Sequence, residues 1–245
     1  MTDGITVRAG ECTTTFDGAR VRGHEQRGRM VVVIKPDNTV LVHDADGYQP
    51  VAWLTRPESV SVDTETVVAR DGDQTLCVEI HETFGEGRYP ASTAGDPVGA
   101  CPDCGSALVR ADGDVACTDC GRRHGVPSDA AVMGERCDCG LPRMAVERGE
   151  RFEVCVDRGC ESLDEAVRDA FDRAWDCPEC PGDLRILRRG GLLAGCEHYP
   201  DCDVGFGIPR GTVAGTCDCG LPVFETESGR RCLDSTCSST ATSGP

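Results

Sequence analysis

Lysine is almost missing from this sequence. Lys35 stands alone beside 24 arginines, and 42 acidic residues leave a formal net charge of −17. Aromatic residues are scarce, 4% of 245, and apolar residues reach only 39%. Together they speak against a single large core and for small domains that need staples. No apolar run approaches the roughly 18 residues that cross a bilayer. The start, MTDGITVRAG, lacks the basic and apolar regions of a secretory signal. A cytoplasmic location without membrane association is the expectation. The five histidines, at 24, 43, 81, 124 and 198, form no spaced cluster, and no P-loop glycine pattern occurs. An acidic, lysine-poor chain fits a halophilic cytoplasm, with an acidic protein of an ordinary cell as the alternative. Acidity normally disfavours nucleic acid. At 1 M salt the screening length falls to about 3 Å, and binding would rest on stacking and hydrogen bonds.

What the chain has in abundance is cysteine: 18 in all, two of them (Cys12, Cys77) before residue 100 and sixteen after it. In a reducing compartment such pairs read as metal ligands. They fall into four sets: Cys101, Cys104, Cys117, Cys120; Cys137, Cys139, Cys155, Cys160; Cys177, Cys180, Cys196, Cys202; and Cys217, Cys219, Cys232, Cys237. Two close cysteines on a tight turn and a second pair returned by a hairpin make a tetrahedral zinc site, so about four Zn²⁺ are expected. The first set, C-x2-C-x12-C-x2-C, is the strongest form of the signal. Sets two and four open with C-x-C inside a shared Cys-Asp-Cys-Gly-Leu-Pro and require a tighter first turn. For these a degenerate ribbon, a disulfide or iron stays open. His198 could replace a cysteine of set three. Closed four-thiolate sites are structural and offer no open position for catalysis. Each adds about −2, which would bring the chain to about −25.

The expected fold is mostly β: a small antiparallel half-barrel or PH-like β domain, then four tandem zinc ribbons with one intervening helix. The β domain spans 1–84. Its strands are read from Met30 onward: Met30–Ile34 and Val40–His43 around a Pro36–Thr39 turn, then short runs near Val60, Val67 and Leu76, with Asp71-Gly72 as a second hairpin turn. No helix is expected before residue 100. Residues 85–100, rich in Gly and Pro, read as a linker. The ribbons follow at 101–126, 135–176 (with the helix), 177–210 and 215–238. Ser162-Leu-Asp-Glu165 is a capping box, and Leu163, Ala166, Val167, Ala170, Phe171 and Ala174 keep helical spacing. This helix reads as a packing spacer or a partner-binding element.

Set three, with Cys177-Pro-x-Cys180, a basic stretch, Gly195-Cys196 and Tyr199-Pro-x-Cys202, resembles the C-terminal C4 zinc ribbons of type IA DNA topoisomerases. The resemblance implies single-stranded DNA binding through arginines and stacked aromatics. By position that points to Arg188, Arg189 and Tyr199, with charge balancing as the other reading of the arginines. Where the family has an aromatic three residues before the third cysteine, this chain has Leu193. Set two has Phe152 there and set four Gly229. Residues 10–84, through Ile34-Lys-Pro-Asp, Val40-Leu-Val-His43 and Pro50-Val-Ala-Trp53, resemble the N-terminal DNA-binding domain of the NucS (EndoMS) endonucleases. That implies a dimerising, DNA-binding β domain. Trp53 matches the family's base-contacting tryptophan, although Ala52 replaces its asparagine, and Arg20 and Tyr48 lie near further family positions. A core role for Trp53 stays open.

The family's nuclease half is not recognisable. Its motif sets an acidic residue two before a catalytic lysine, whereas Lys35 follows Val33 and Ile34. The expectation is a non-catalytic DNA-binding protein for single-stranded, branched or mismatched DNA in repair, recombination or topology. The alternatives are an adaptor for a nuclease, polymerase or topoisomerase, and an endonuclease with an unrecognised metal site. A homodimer through the N-terminal domain is a further implication of the resemblance.

Overall fold

A computed structural model describes residues 4–18 and 21–238, with the side chains of 21–23 left aside. The chain divides into two compact units, Met1–Ser92 and Thr93–Pro245. No helix among the described residues is long and apolar enough to cross a membrane.

The first unit is one antiparallel sheet of seven strands: β1 (Gly4–Gly18), β2 (Val21–Ile34), β3 (Val40–His43), β4 (Ala52–Leu54), β5 (Ser59–Val62), β6 (Thr66–Asp71) and β7 (Gln74–Pro90). Their order is β4-β3-β2-β1-β7-β6-β5. The expected hairpin pairs Val31 with His43 and Ile34 with Val40. Its turn closes with Lys35 N to Thr39 O at 2.9 Å. The second turn, at Gly72, brings Asp71 opposite Gln74. Alternate residues, among them Val32, Val40, Val42, Val67, Leu76 and Val78, fill the core on one face. Period-two burial of this kind is what a half-wet sheet needs.

The central strand escaped the reading of the sequence. Every inward position of β1 from Arg8 to Thr14 is buried, yet these are Arg8, Gly10, Cys12 and Thr14, only one of them apolar. Gly10 has a packing reason. A Cβ there would lie 2.3 Å from the Glu82 carbonyl oxygen, where β1 and β7 shift register through a bulge. Such bulges add twist and help to curl a sheet.

The expected linker at 85–100 is largely strand. β7 runs on to Pro90 because β1 offers it partners as far as Gly4. From Asp96 the chain enters β8 (Asp96–Ala100), the outer strand of the first ribbon, followed by β9 (Ala107–Ala111), β10 (Asp114–Cys117) and β11 (Arg123–Gly125). The second ribbon comprises β12 (Ala131–Arg136), β13 (Pro142–Gly149) and β14 (Arg151–Cys155), and leads into α1 (Leu163–Phe171). The third holds β15 (Leu184–Arg188), β16 (Leu192–Cys196) and β17 (Gly205–Gly207). The fourth holds β18 (Gly211–Thr216), β19 (Pro222–Thr226) and β20 (Gly229–Cys232).

The ribbons repeat as two pairs. Gly125-Val-Pro127 joins the first to the second and Gly207-Ile-Pro209 joins the third to the fourth, with Val126 and Ile208 both buried. The even ribbons then share one sheet, because the end of β13 pairs in parallel with β18 through Arg148–Gly211 and Gly149–Thr212. Asp129 lies beside this seam, accepting from Arg148 at 2.6 and 3.0 Å.

All four ribbons contribute to one hydrophobic cluster. A file of aromatic rings crosses it. Phe152 meets Phe171 edge-on at 6.4 Å, Phe171 stacks on Trp175 at 5.1 Å, and Trp175 meets Phe224 edge-on at 6.1 Å. The helix serves this packing. Leu163 and Val167 are buried, Ser162 Oγ accepts from Glu165 N at 3.4 Å, and Asp172 past its end accepts from Arg185 Nε and Ile186 N, each at 2.9 Å. Units of this size bury too little surface alone, and a shared core supplies the rest.

Candidate metal centres and nucleic-acid interface

In each cysteine set the four sulfurs lie within 4.8 Å of one another. The second and third cysteines stand at 3.4 Å (104–117), 3.5 Å (139–155), 3.4 Å (180–196) and 3.5 Å (219–232). The outer pairs stand at 3.9, 3.6, 3.7 and 3.8 Å. A tetrahedron with Zn–S bonds of about 2.3 Å has edges of about 3.8 Å, whereas a disulfide needs about 2.05 Å. The disulfide reading of sets two and four therefore fails. All four are four-thiolate zinc sites, closed and structural.

The tighter turn required of C-x-C is present. In the first ribbon Gly105 N bonds back to Cys101 O at 2.9 Å. In the second and fourth the same bond spans one residue fewer, from Gly140 N to Cys137 O at 2.8 Å and from Gly220 N to Cys217 O at 2.9 Å. Gly140 and Gly220 take φ of +86° and +87°, a region costly for any side chain. His198 does not displace a cysteine from set three. Its Nδ1 lies 3.4 Å from Cys180 Sγ, outside the four sulfurs.

Without metal the four thiols of a set cannot ionise together. The Ser106 backbone N–H and the Cys117 thiol hold Cys104 down at about 6. Burial pushes Cys196 up to about 12 and raises Cys155 and Cys232 as well. Loading a site therefore expels protons, and affinity for zinc falls with acid.

The aromatic and arginine candidates separate into exposed and spent residues. Trp53 is 52% exposed, although Ala52 and Leu54 on either side are buried, so it is not a core residue. Beside it a cavity of about 470 Å³ opens, lined also by Phe16, His24 and Gln26. Tyr48 is exposed in the loop before β4. Arg20 lies outside the described residues. The registers place Trp53, Leu41, Val33 and Val7 on one outer face. That face also carries Arg29, which lies 5.6 Å over the Phe84 ring. The sequence reading missed this pair and the exposed Tyr89. The odd-numbered alternation of β2 was the available signal for Arg29.

On the third ribbon Tyr199 is 58% exposed, and the Arg189 guanidinium stands 5.0 Å from its ring centroid. A cavity of about 490 Å³ there is lined by Leu187, Leu193, Gly195 and Phe206 as well. Leu187, Leu193 and Gly207 share a face, as do Arg185, Gly195 and Gly205. The glycines leave that face flat. Arg188 is paired with Asp164 of the helix. Phe152 requires a correction. It is only 8% exposed and packs edge-on against Phe171, because β14 turns its even positions into the shared core. It offers no surface for a base.

Residues 3–96 match the family model described as the endonuclease NucS N-terminal PH-like domain. Endonuclease NucS 2 of Halobacterium salinarum is 34% identical over 93 residues, 36% of each chain. DNA topoisomerase 1 of Methanocaldococcus jannaschii is 34% identical over 67 residues, 25% of this chain and 9% of that one. The solved structure of EndoMS in apo form covers 36% of this chain and 43% of its own, at 24% identity and a TM-score of 0.33. The chain thus spans about a third of the first of these relatives and a tenth of the second. Its first unit is similar to the NucS N-terminal PH-like domain, a stretch of 67 residues is similar to part of a DNA topoisomerase, and the four cysteine sets fit zinc ribbons.

Proposed function

We propose that the protein is a non-catalytic DNA-binding protein that holds single-stranded or branched DNA for repair, recombination or topology. The supporting observation is the exposure of Trp53 and Tyr199 in a chain with few aromatics. Four other rings, Phe152, Phe171, Trp175 and Phe224, are consumed by the shared core. Each exposed ring stands on a module whose relatives are an endonuclease and a topoisomerase. Stacking on such rings contributes about 1–3 kcal/mol per base and tolerates any sequence. It also survives molar salt, which a binding mode built on counterion release does not. A dimer through the first unit would gather eight ribbons, and avidity would then strengthen weak single contacts. A repair or topology enzyme would act on the DNA so held.

The test is binding of a labelled forked oligonucleotide in molar KCl with Mg²⁺ or Mn²⁺, followed by a denaturing gel of the same sample. Binding with intact DNA is the expected result. Cleavage would overturn the non-catalytic reading, and absence of binding would favour a protein-interaction role.

A further inference from the structure

The loop that carries Tyr199 has a counterpart in the second ribbon. In the third ribbon, His198 N donates to Cys196 Sγ at 3.4 Å and Cys202 N to His198 O at 3.1 Å. In the second, Asp157 N donates to Cys155 Sγ at 3.4 Å and Cys160 N to Asp157 O at 3.0 Å. The matching bonds make Asp157 the equivalent of His198. The next residue, Arg158, then stands where the third ribbon has Tyr199.

The β15–β16 hairpin tip, Arg188-Arg189-Gly190-Gly191, is shared by two openings. On one side it borders the Tyr199 cavity. On the other it borders a cavity of about 240 Å³ lined by Arg148, Arg158 and Arg188. The two cavities share Gly190, Gly191 and Leu192. A Cβ on either glycine would meet nothing within 4 Å, so a polymer backbone can cross the tip closely. Of the three arginines, Arg148 is held by Asp129 and Arg188 by Asp164. Arg158 is exposed, and none of the described ion pairs includes it. On a chain of net charge −17, an uncommitted guanidinium facing a cavity next to a stacking ring is a place for an anion.

We propose that the two cavities form one continuous path for single-stranded DNA, in which a base stacks on Tyr199 of the third ribbon and a phosphate further along the strand, beyond the reach of a 4-mer seated on Tyr199, is held by Arg158 of the second. This rests on the reading of the third ribbon as a single-strand site. It makes ribbons two and three one binding unit with a minimum length of strand, and it assigns Arg158 as a binding residue.

The experiment is fluorescence anisotropy on the full zinc-loaded chain with labelled oligo-dT of 4 and 12 nucleotides, over 0.3–1 M KCl. Arg158→Ala is expected to weaken the 12-mer about 3- to 10-fold and to lower its log–log salt slope by about 0.7, the value for one single-strand phosphate. Its 4-mer affinity should stay within twofold of wild type, while Tyr199→Ala weakens both lengths. Native mass spectrometry of Arg158→Ala should still count four zinc ions. Unchanged 12-mer binding in Arg158→Ala, or an equal loss at both lengths, would overturn the shared path while leaving the Tyr199 site intact. No binding by the wild type, or no effect of Tyr199→Ala, would remove both readings.

Discussion

Replacing Phe171 by alanine tests whether the four ribbons are one cooperative body. The ring is half-buried, stacks on Trp175 at 5.1 Å and meets Phe152 edge-on at 6.4 Å. It also lies against Gly149, where an added Cβ would come within 2.5 Å of it, at the parallel seam between the even ribbons. Phe→Ala in a full core costs about 3–5 kcal/mol, so a half-buried ring loses about 2. Each of the two aromatic pairs adds about 0.5–1.5, which brings the expected loss to about 3–5 kcal/mol. Because Phe171 touches the second ribbon and reaches the fourth through Trp175, both zinc sites should weaken together. The assay is urea unfolding followed in parallel by far-UV circular dichroism and by zinc release to a chromophoric chelator. The expected result is one transition, shifted to lower urea, with coincident release. A loss below about 1 kcal/mol, or release of one zinc ion while the other three stay bound, would refute the shared core.

Trp53→Ala and Tyr199→Ala should each weaken single-strand binding by about 1–3 kcal/mol; unchanged affinity in both, measured by anisotropy, would remove the stacking contacts. Native mass spectrometry should find four zinc ions per chain and three after Cys219→Ser, and two or fewer in the wild type would contradict the sulfur geometry of the even ribbons. Asp129→Asn should destabilise the second unit by about 1–3 kcal/mol, because it leaves the Arg148 guanidinium without its counter-charge. The bonds from Arg148 hold the Asp129 carboxyl below the usual range, so this stability is present above the unfolded carboxyl value of about 3.9 and is lost as pH falls through the lower folded value. Urea titrations should therefore show the same cost at pH 7 and pH 5.5, and a cost that vanished by pH 5.5 would contradict the assignment.

The metal centres were legible because they are local. A pair of cysteines two or three residues apart specifies a turn, and the turn specifies half a tetrahedron, whatever surrounds it. Even the shorter C-x-C could be read as a tighter turn, and Gly140 and Gly220 supply it. The Pro36–Thr39 and Asp71-Gly72 turns and the Ser162 cap are local in the same sense. The resemblances carried Trp53 and Tyr199 as candidates, but whether a ring is exposed is a different kind of question.

That question depends on what the rest of the chain packs against each side chain. Phe152 and Tyr199 were both read as stacking residues. Contacts with the helix bury the first, and the position of the loop after Cys196 leaves the second in solvent. The strand β1 was hidden because partners more than sixty residues away, in β7, supply the order that its own Arg8, Gly10 and Thr14 do not advertise. The first part of the expected linker became strand through the same long-range pairing, and its last part through pairing with β9. Cysteine spacing and local patterning alone pointed to four zinc sites, two of them with other readings open, and to a β domain and a capped helix. Only the tertiary structure decided that the ribbons share one core and which rings and arginines remain free, because burial is a sum over distant neighbours that no short window of sequence contains.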